Sequence, residues 1–92
     1  MKLADKIDFE ELSESLKVIG HPVRLKIVCG LIAKKACVTD IYQCLGLPQA
    51  TVSQHLALLR NKNIVKSIRD GVKMRYQVIN EDVIKIVGAL LK

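Results

Sequence analysis

Ninety-two residues with 15 Lys and Arg against 9 Asp and Glu, a net charge of +6, provide for one domain, residues 1–92, and leave room for help from a partner subunit. Half the residues are hydrophobic but only Phe9, Tyr42 and Tyr76 are aromatic, a composition suited to packed helices rather than to a sugar-binding or base-stacking surface. No apolar run approaches the roughly 18 residues of a membrane span, the acidic start "MKLADKIDFEEL" is no secretion signal, and three cysteines make no disulfide framework, so a cytoplasmic chain without a membrane partner is expected.

Taken in chain order, Phe9, Leu12, Leu16 and Ile19 fall at helical spacing and predict a first amphipathic helix over about 8–20. "GHP" at 20–22 breaks it, and Pro22 suits the first turn of a second helix reaching about Lys34, with Leu25, Val28, Cys29 and Ile32 along one stripe. A third, short helix covers Val38 to Leu45 and stops at Gly46. A fourth starts near Gln49 and runs through Arg60. Two short helices joined by a tight glycine-containing turn make a helix-turn-helix over about 38–60. The segment "IVKSIRDGVKMRYQVI", about 64–79, places two β-prone runs around Asp70-Gly71 and predicts a hairpin. A last helix over about 81–91 is apolar at Val83, Ile84, Val87, Leu90 and Leu91. The order α-α-α-α-β-β-α is mostly α with a β-hairpin wing, a winged helix-turn-helix.

Charge is distributed to match. Arg60, Lys62, Lys66, Arg69, Lys73 and Arg75 fall in sixteen residues that hold one acid, Asp70, whereas residues 1–14 carry five acids. A basic strip on a neutral or acidic body points to a polyanion. With Val52, Leu56 and Leu59 turned inward on the fourth helix, Ala50, Gln54 and Ala57 point away and Ser53 flanks them. Small side chains let a helix approach base edges, and the Gln54 amide can pair bidentately with adenine. Gln49, Thr51 and Ser53 are placed for phosphates near the helix N-terminus. Arg69, Lys73 and Arg75 surround the hairpin tip as salt-sensitive phosphate contacts. His55 lies at the edge of the core face, where a packed, hydrogen-bonded role is expected, and Leu58 needs a cover.

These stretches, "LKVIGHPVRLKIV" (16–28), "LGLPQATVSQHLALLR" (45–60) and "IVKSIRDGVKMRYQV" (64–78), resemble the ArsR/SmtB family of bacterial winged-helix repressors over nearly the whole chain. The resemblance implies a homodimer built on the first and last helices, an inverted-repeat operator in double-stranded DNA, and release by an inducer. Half-sites would lie about one helical turn apart.

It also frames the cysteines. Members that sense arsenic or cadmium open the third helix with Cys-Val-Cys-Asp-Leu-Cys, whereas the matching residues here are Cys37, Val38, Thr39, Asp40, Ile41 and Tyr42, so a tris-thiolate site is not expected. Cys44 is seven residues from Cys37, a helical rise of roughly 10 Å, too far to share an ion or a disulfide. Cys44 is expected to be a buried small hydrophobe. Cys37 falls at the cap of the third helix, where the positive helix end would favour a thiolate, with Thr39 as an alternative cap. Cys29 resembles the second-helix cysteine of persulfide- and redox-sensing members, but the last helix supplies no partner cysteine, nor the histidines of a zinc site.

The candidate sensor thiols are therefore Cys29 and Cys37, with a Cys29–Cys37 pair as the sharpest expectation. No cofactor is assigned with certainty. The expected inducer is a thiophilic metal or metalloid, a redox signal or a reactive sulfur species. The alternatives are a winged-helix regulator without thiol or metal sensing, or a protein-interaction module. Enzymatic activity is not expected, since neither paired carboxylates nor a nucleophile with an adjacent base occurs.

Overall fold

The computed structural model describes residues 6–34 and 38–91. Its elements are α1 (Phe9–Ile19), α2 (Pro22–Lys34), α3 (Val38–Leu45), α4 (Gln49–Asn61), β1 (Val65–Asp70), β2 (Lys73–Val78) and α5 (Glu81–Leu90). Each boundary has a local cause. The Asp8 carboxylate accepts from the Glu11 N–H at the start of α1, and the Asn80 side chain does the same for Val83 at the start of α5. Gly46, at φ +66°, ends α3 with its N–H on the Tyr42 carbonyl. α4 ends in a Schellman motif: Asn63 takes a φ of 59°, its N–H reaches the Arg60 carbonyl, and the Ile64 N–H reaches the Leu59 carbonyl.

The core is aliphatic. Ile27, Val28 and Leu31 of α2, Val52, Leu56 and Leu59 of α4, Ile64 and Val65 at the start of the hairpin, and Val83 and Val87 of α5 are buried together. α2 is the centre of this assembly, packing against α1, α3, α4, α5 and β2. Its inward stripe runs through Ile27, Val28 and Leu31, with Leu25, Cys29 and Ile32 only half-buried on the flanks. The periodicity chose a stripe rotated from this one, because a helix packed on several sides has more than one apolar face.

On α1 only part of the expected stripe is covered: Ile19 is buried and Leu12 half-buried. Ser15, Val18 and Ile19 are buried, while Phe9 and Leu16 are 51% and 42% exposed. Buried Ser15 is satisfied by a hydrogen bond from the Asn80 amide at 3.2 Å, which joins α1 to the start of α5. The outer side of α5 likewise leaves Ile84, Ile86, Leu90 and Leu91 exposed. Since α1 and α5 pack against each other, their uncovered apolar residues lie on neighbouring helices. Among the described residues no helix is long and apolar enough to cross a membrane.

β1 and β2 are antiparallel with Val65 opposite Val78 and Asp70 opposite Lys73, which leaves Gly71 and Val72 as the turn. The turn therefore lies one residue beyond the Asp70-Gly71 centre expected from sequence. Gly71 has φ +65°, the glycine-first arrangement favoured in two-residue hairpins, and Val72 is fully exposed at the tip.

Candidate nucleic-acid interface

α4 is held by Val52, Leu56 and Leu59, spaced four and three residues apart, all fully or almost fully buried. That stripe turns Gln49, Ala50, Ser53 and Gln54 to solvent, with Thr51 and Ala57 half-buried beside them. The outward surface thus combines two small side chains, one amide that can read a base edge, and polar groups near the helix start. Pro48 precedes α4 without a side-chain cap, and the first turn carries no acid. Its first N–H groups are left for an external acceptor, and the helix end is positive. Leu58, expected to need a cover, is half-buried.

The hairpin alternates between two faces. Val65, Ser67 and Arg69 share one face with Met74, Tyr76 and Val78, which turns inward at its buried end. Lys66, Ile68 and Asp70 share the other with Lys73, Arg75 and Gln77. Arg69 and Lys73 therefore project from opposite sides of the tip. Arg75 does not act alone: its Nε lies 3.1 Å from the Asp70 carboxylate. Lys62 similarly reaches Glu14 at 3.6 Å. Among the described residues Arg69 and Lys73 form no ion pair, which leaves them as the available cations of the tip.

The cysteines separate differently from expectation. Cys44 is exposed rather than buried. The inward face of α3 is set by Ile41, Tyr42 and Leu45, whose mean direction lies roughly 110° from Cys44 at 100° per residue. Cys29 is half-buried against the core on α2. Cys37, and with it the Cys29–Cys37 pair, lies outside the described residues. Among the described residues no three His, Cys, Asp or Glu side chains converge on a common point.

One cluster joins residues far apart in sequence. The Arg24 Nε donates to the Val18 carbonyl, its Nη1 lies 3.4 Å from His55 Nδ1, and the His55 ring sits 4.7 Å from that of His21. His55 was expected to be packed and hydrogen-bonded, and it is. No spacing signal ties it to Arg24 and His21, because only the crossing of α2 and α4 brings them together.

The family model for the bacterial regulatory proteins of the arsR family matches residues 21–67, from the start of α2 into β1. The transcriptional repressor PagR of Bacillus anthracis is 43% identical over 88 residues, 91% of this chain and 88% of PagR. The chain belongs to the ArsR family. The crystal structure of PagR superposes on this ArsR-family chain with a TM-score of 0.81 at 44% identity, covering 89% of this chain and 94% of that one. The crystal structure of the transcriptional repressor BigR from Xylella fastidiosa does so with a TM-score of 0.85 at 31% identity, covering 98% and 92%. A homodimeric winged helix-turn-helix DNA-binding domain, Mb0332 from Mycobacterium bovis, shares the fold with a TM-score of 0.78 over 90% of this chain and 77% of that one, at 23% identity. The fold of this ArsR-family protein is accordingly a winged helix, and its family is one of DNA-binding regulators rather than enzymes.

Proposed function

We propose that this chain is a homodimeric transcriptional repressor that binds an inverted-repeat operator in double-stranded DNA and leaves it when an inducer binds. The observation that carries this reading is the outward face of α4, where Ala50, Ser53 and Gln54 are exposed beside an uncapped, positive helix start. An interaction module would present apolar or acidic residues there. In this reading Gln54 pairs with a base edge, Gln49, Thr51 and Ser53 hold phosphates, and Arg69 and Lys73 extend the contact from the wing. Arg75 contributes less than its charge suggests, because Asp70 already engages it.

The dimer forms through α1 and α5. Phe9, Leu16, Ile84, Leu90 and Leu91 are exposed apolar residues on two adjoining helices, the kind of surface that a protein contact covers. A second copy covers it and sets two α4 helices about one turn of DNA apart. In vitro selection from random duplexes is the test. The expected product is a palindromic site bound by two copies, and recovery of no preferred sequence would refute the reading. On that site Gln54→Ala is expected to cost about 1–3 kcal/mol and to relax preference at one base pair of each half-site. Unchanged specificity would remove Gln54 from base readout.

For the inducer, we infer a thiol reaction centred on Cys29 and Cys37. Cys29 lies half-buried on α2, the helix that packs against both α4 and α5, so a modified sulfur there would disturb the contacts that α2 makes with the reading helix and with the dimer helix. Polysulfide, peroxide, arsenite and zinc, added separately to the bound complex, distinguish the chemistries. Release by roughly 5- to 150-fold in affinity is expected for a coupling of ordinary size, and it should vanish in Cys29→Ser or Cys37→Ser. Release that survives both substitutions would exclude these thiols. One observation favours a second reading. A crevice of about 330 Å³ between α2, the hairpin and α5, lined by Leu31, Ile32, Ile68, Arg75, Val78 and Ile84, has the size of a small-molecule site.

A further inference from the structure

His21, Arg24 and His55 form a junction whose hydrogen bonds require neutral imidazoles. The Val23 N–H donates to His21 Nδ1 at 3.1 Å. Arg24 Nη1 lies 3.4 Å from His55 Nδ1. A backbone N–H and a guanidinium can only donate, so each Nδ1 must accept, and neither ring can be an imidazolium without setting N–H against N–H. The two rings are themselves in contact, with centroids 4.7 Å apart and planes at 40°. The guanidinium is anchored from the other side, since its Nε donates to the Val18 carbonyl at the end of α1. Three elements thus meet here: α1 through Val18, α2 through Arg24, and α4 through His55.

Burial lowers the proton affinity of His55 below its ordinary value of 6.5, and the charge of Arg24 lowers it further, as would any proton placed on the adjoining His21 ring. His21 faces it from the α1–α2 junction and Arg24 from α2. No carboxylate opposes them among the described residues. The sign follows from linkage. A folded state that holds a proton less tightly than the unfolded chain has its full stability above about 6.5 and loses it as pH falls below that value.

We propose that His21, Arg24 and His55 are a positioning cluster that holds α4 at its DNA-reading pitch only while both imidazoles are neutral, so that DNA affinity falls in mild acid. The proposal rests on the reading of α4 as the DNA-reading helix, which its test can separate. The direction is diagnostic. A histidine that merely lies near DNA gains a charge in acid and binds phosphates more tightly. Here the same proton breaks the bond to Val23 or to Arg24 and adds a cation to a junction that already holds one. The helix that moves is the one carrying Gln49, Ser53 and Gln54.

The experiment is anisotropy of the full chain on the selected duplex at constant ionic strength, from about pH 7.5 to about pH 5.5, the range in which histidine changes charge. Wild-type affinity is expected to fall at least about fivefold, the lower end of ordinary coupling between sites. In His55→Gln, which keeps an acceptor for Arg24 but cannot take a proton, that pH dependence should weaken, and in the His21→Gln/His55→Gln double variant it should disappear, whatever the affinity at the upper pH. Affinity that stays level or rises in acid, or that falls equally in His55→Gln, would overturn the proposal.

A second measurement does not depend on DNA. In an NMR titration of the free protein, the His21 and His55 rings, the Val23 amide and the Arg24 side chain are expected to shift together. Rings that titrate while Val23 and Arg24 stay fixed would refute the cluster. If the chain binds no duplex even at the upper pH, the DNA reading fails while the titration still decides the junction.

Discussion

A chain truncated before Glu81 is expected to lose its fold together with its dimer. α5 places Val83 and Val87 in the core, 1% and 0% exposed, and each fully buried valine contributes about 1.5–3 kcal/mol. The same cut exposes the surfaces of α1 and α2 that α5 covers, and it removes the Val83 N–H that Asn80 accepts from, leaving Asn80 a bond to Ser15 and no helix to cap. A domain of this size has a total stability of about 5–15 kcal/mol. The loss is therefore of the same order as the whole. Circular dichroism should show a collapsed melting transition, and sedimentation equilibrium should show no dimer. A truncated chain that remains a folded dimer would refute the assembly through α1 and α5. Leu90→Lys separates the two roles of the helix, because Leu90 is 68% exposed and contributes to the outer surface rather than to the core. That variant should stay folded and become monomeric. A dimer that persists would place the interface elsewhere.

The second large effect concerns the wing. Replacing both Arg69 and Lys73 by Ala removes two cations from each protomer, four from a dimer. Each neutralised phosphate contributes about 0.9 to the slope of log affinity against log salt, so the slope should flatten by up to about 3.5. Near physiological ionic strength that corresponds to roughly 10² to 10³ in affinity, lost about equally from every sequence. Arg75→Ala should cost far less, because the Arg75 charge is already partly spent on Asp70 at 3.1 Å. Asp70→Ala should raise affinity by freeing it. Titrations at several salt concentrations check all three variants. A slope unchanged in the double variant would take the wing out of the interface, and an Arg75 effect as large as that of Arg69 would show that DNA displaces Asp70.

Glu11 and Glu14 on α1, with Lys62 and Asn80, line a polar recess on the side of α1 that faces the end of α4. The Glu14–Lys62 pair there is about half exposed at both ends, and such pairs contribute little. It withdraws Lys62 from the basic strip more than it stabilises the fold. The six cations counted along the chain are thus unequal once folded.

The amino-acid sequence by itself determined the element order, the span of α3, the inward stripe Val52–Leu56–Leu59 of α4 and the exposure of Gln49, Ser53 and Gln54. These follow from local causes: a period of 3.6 residues, a glycine able to take positive φ, a proline at a helix start, and charge density along a short segment. It also carried the family, because three motifs in order and spacing are a property of the chain. What only the tertiary structure decided is which of several apolar faces is used, and which charged groups meet. α1 and α2 each have more than one apolar stripe, so periodicity alone could not exclude Phe9 and Leu16 from the core or place Cys29 on the flank of α2. Cys44 follows Ile41 by three, which reads as buried, until Tyr42 and Leu45 settle the inward direction of α3. The pairing of Arg75 with Asp70 depends on strand register, and the meeting of Arg24 with His55, thirty-one residues away, depends on the crossing of two helices. Contacts of that kind are fixed by three-dimensional packing, to which spacing along the chain is blind.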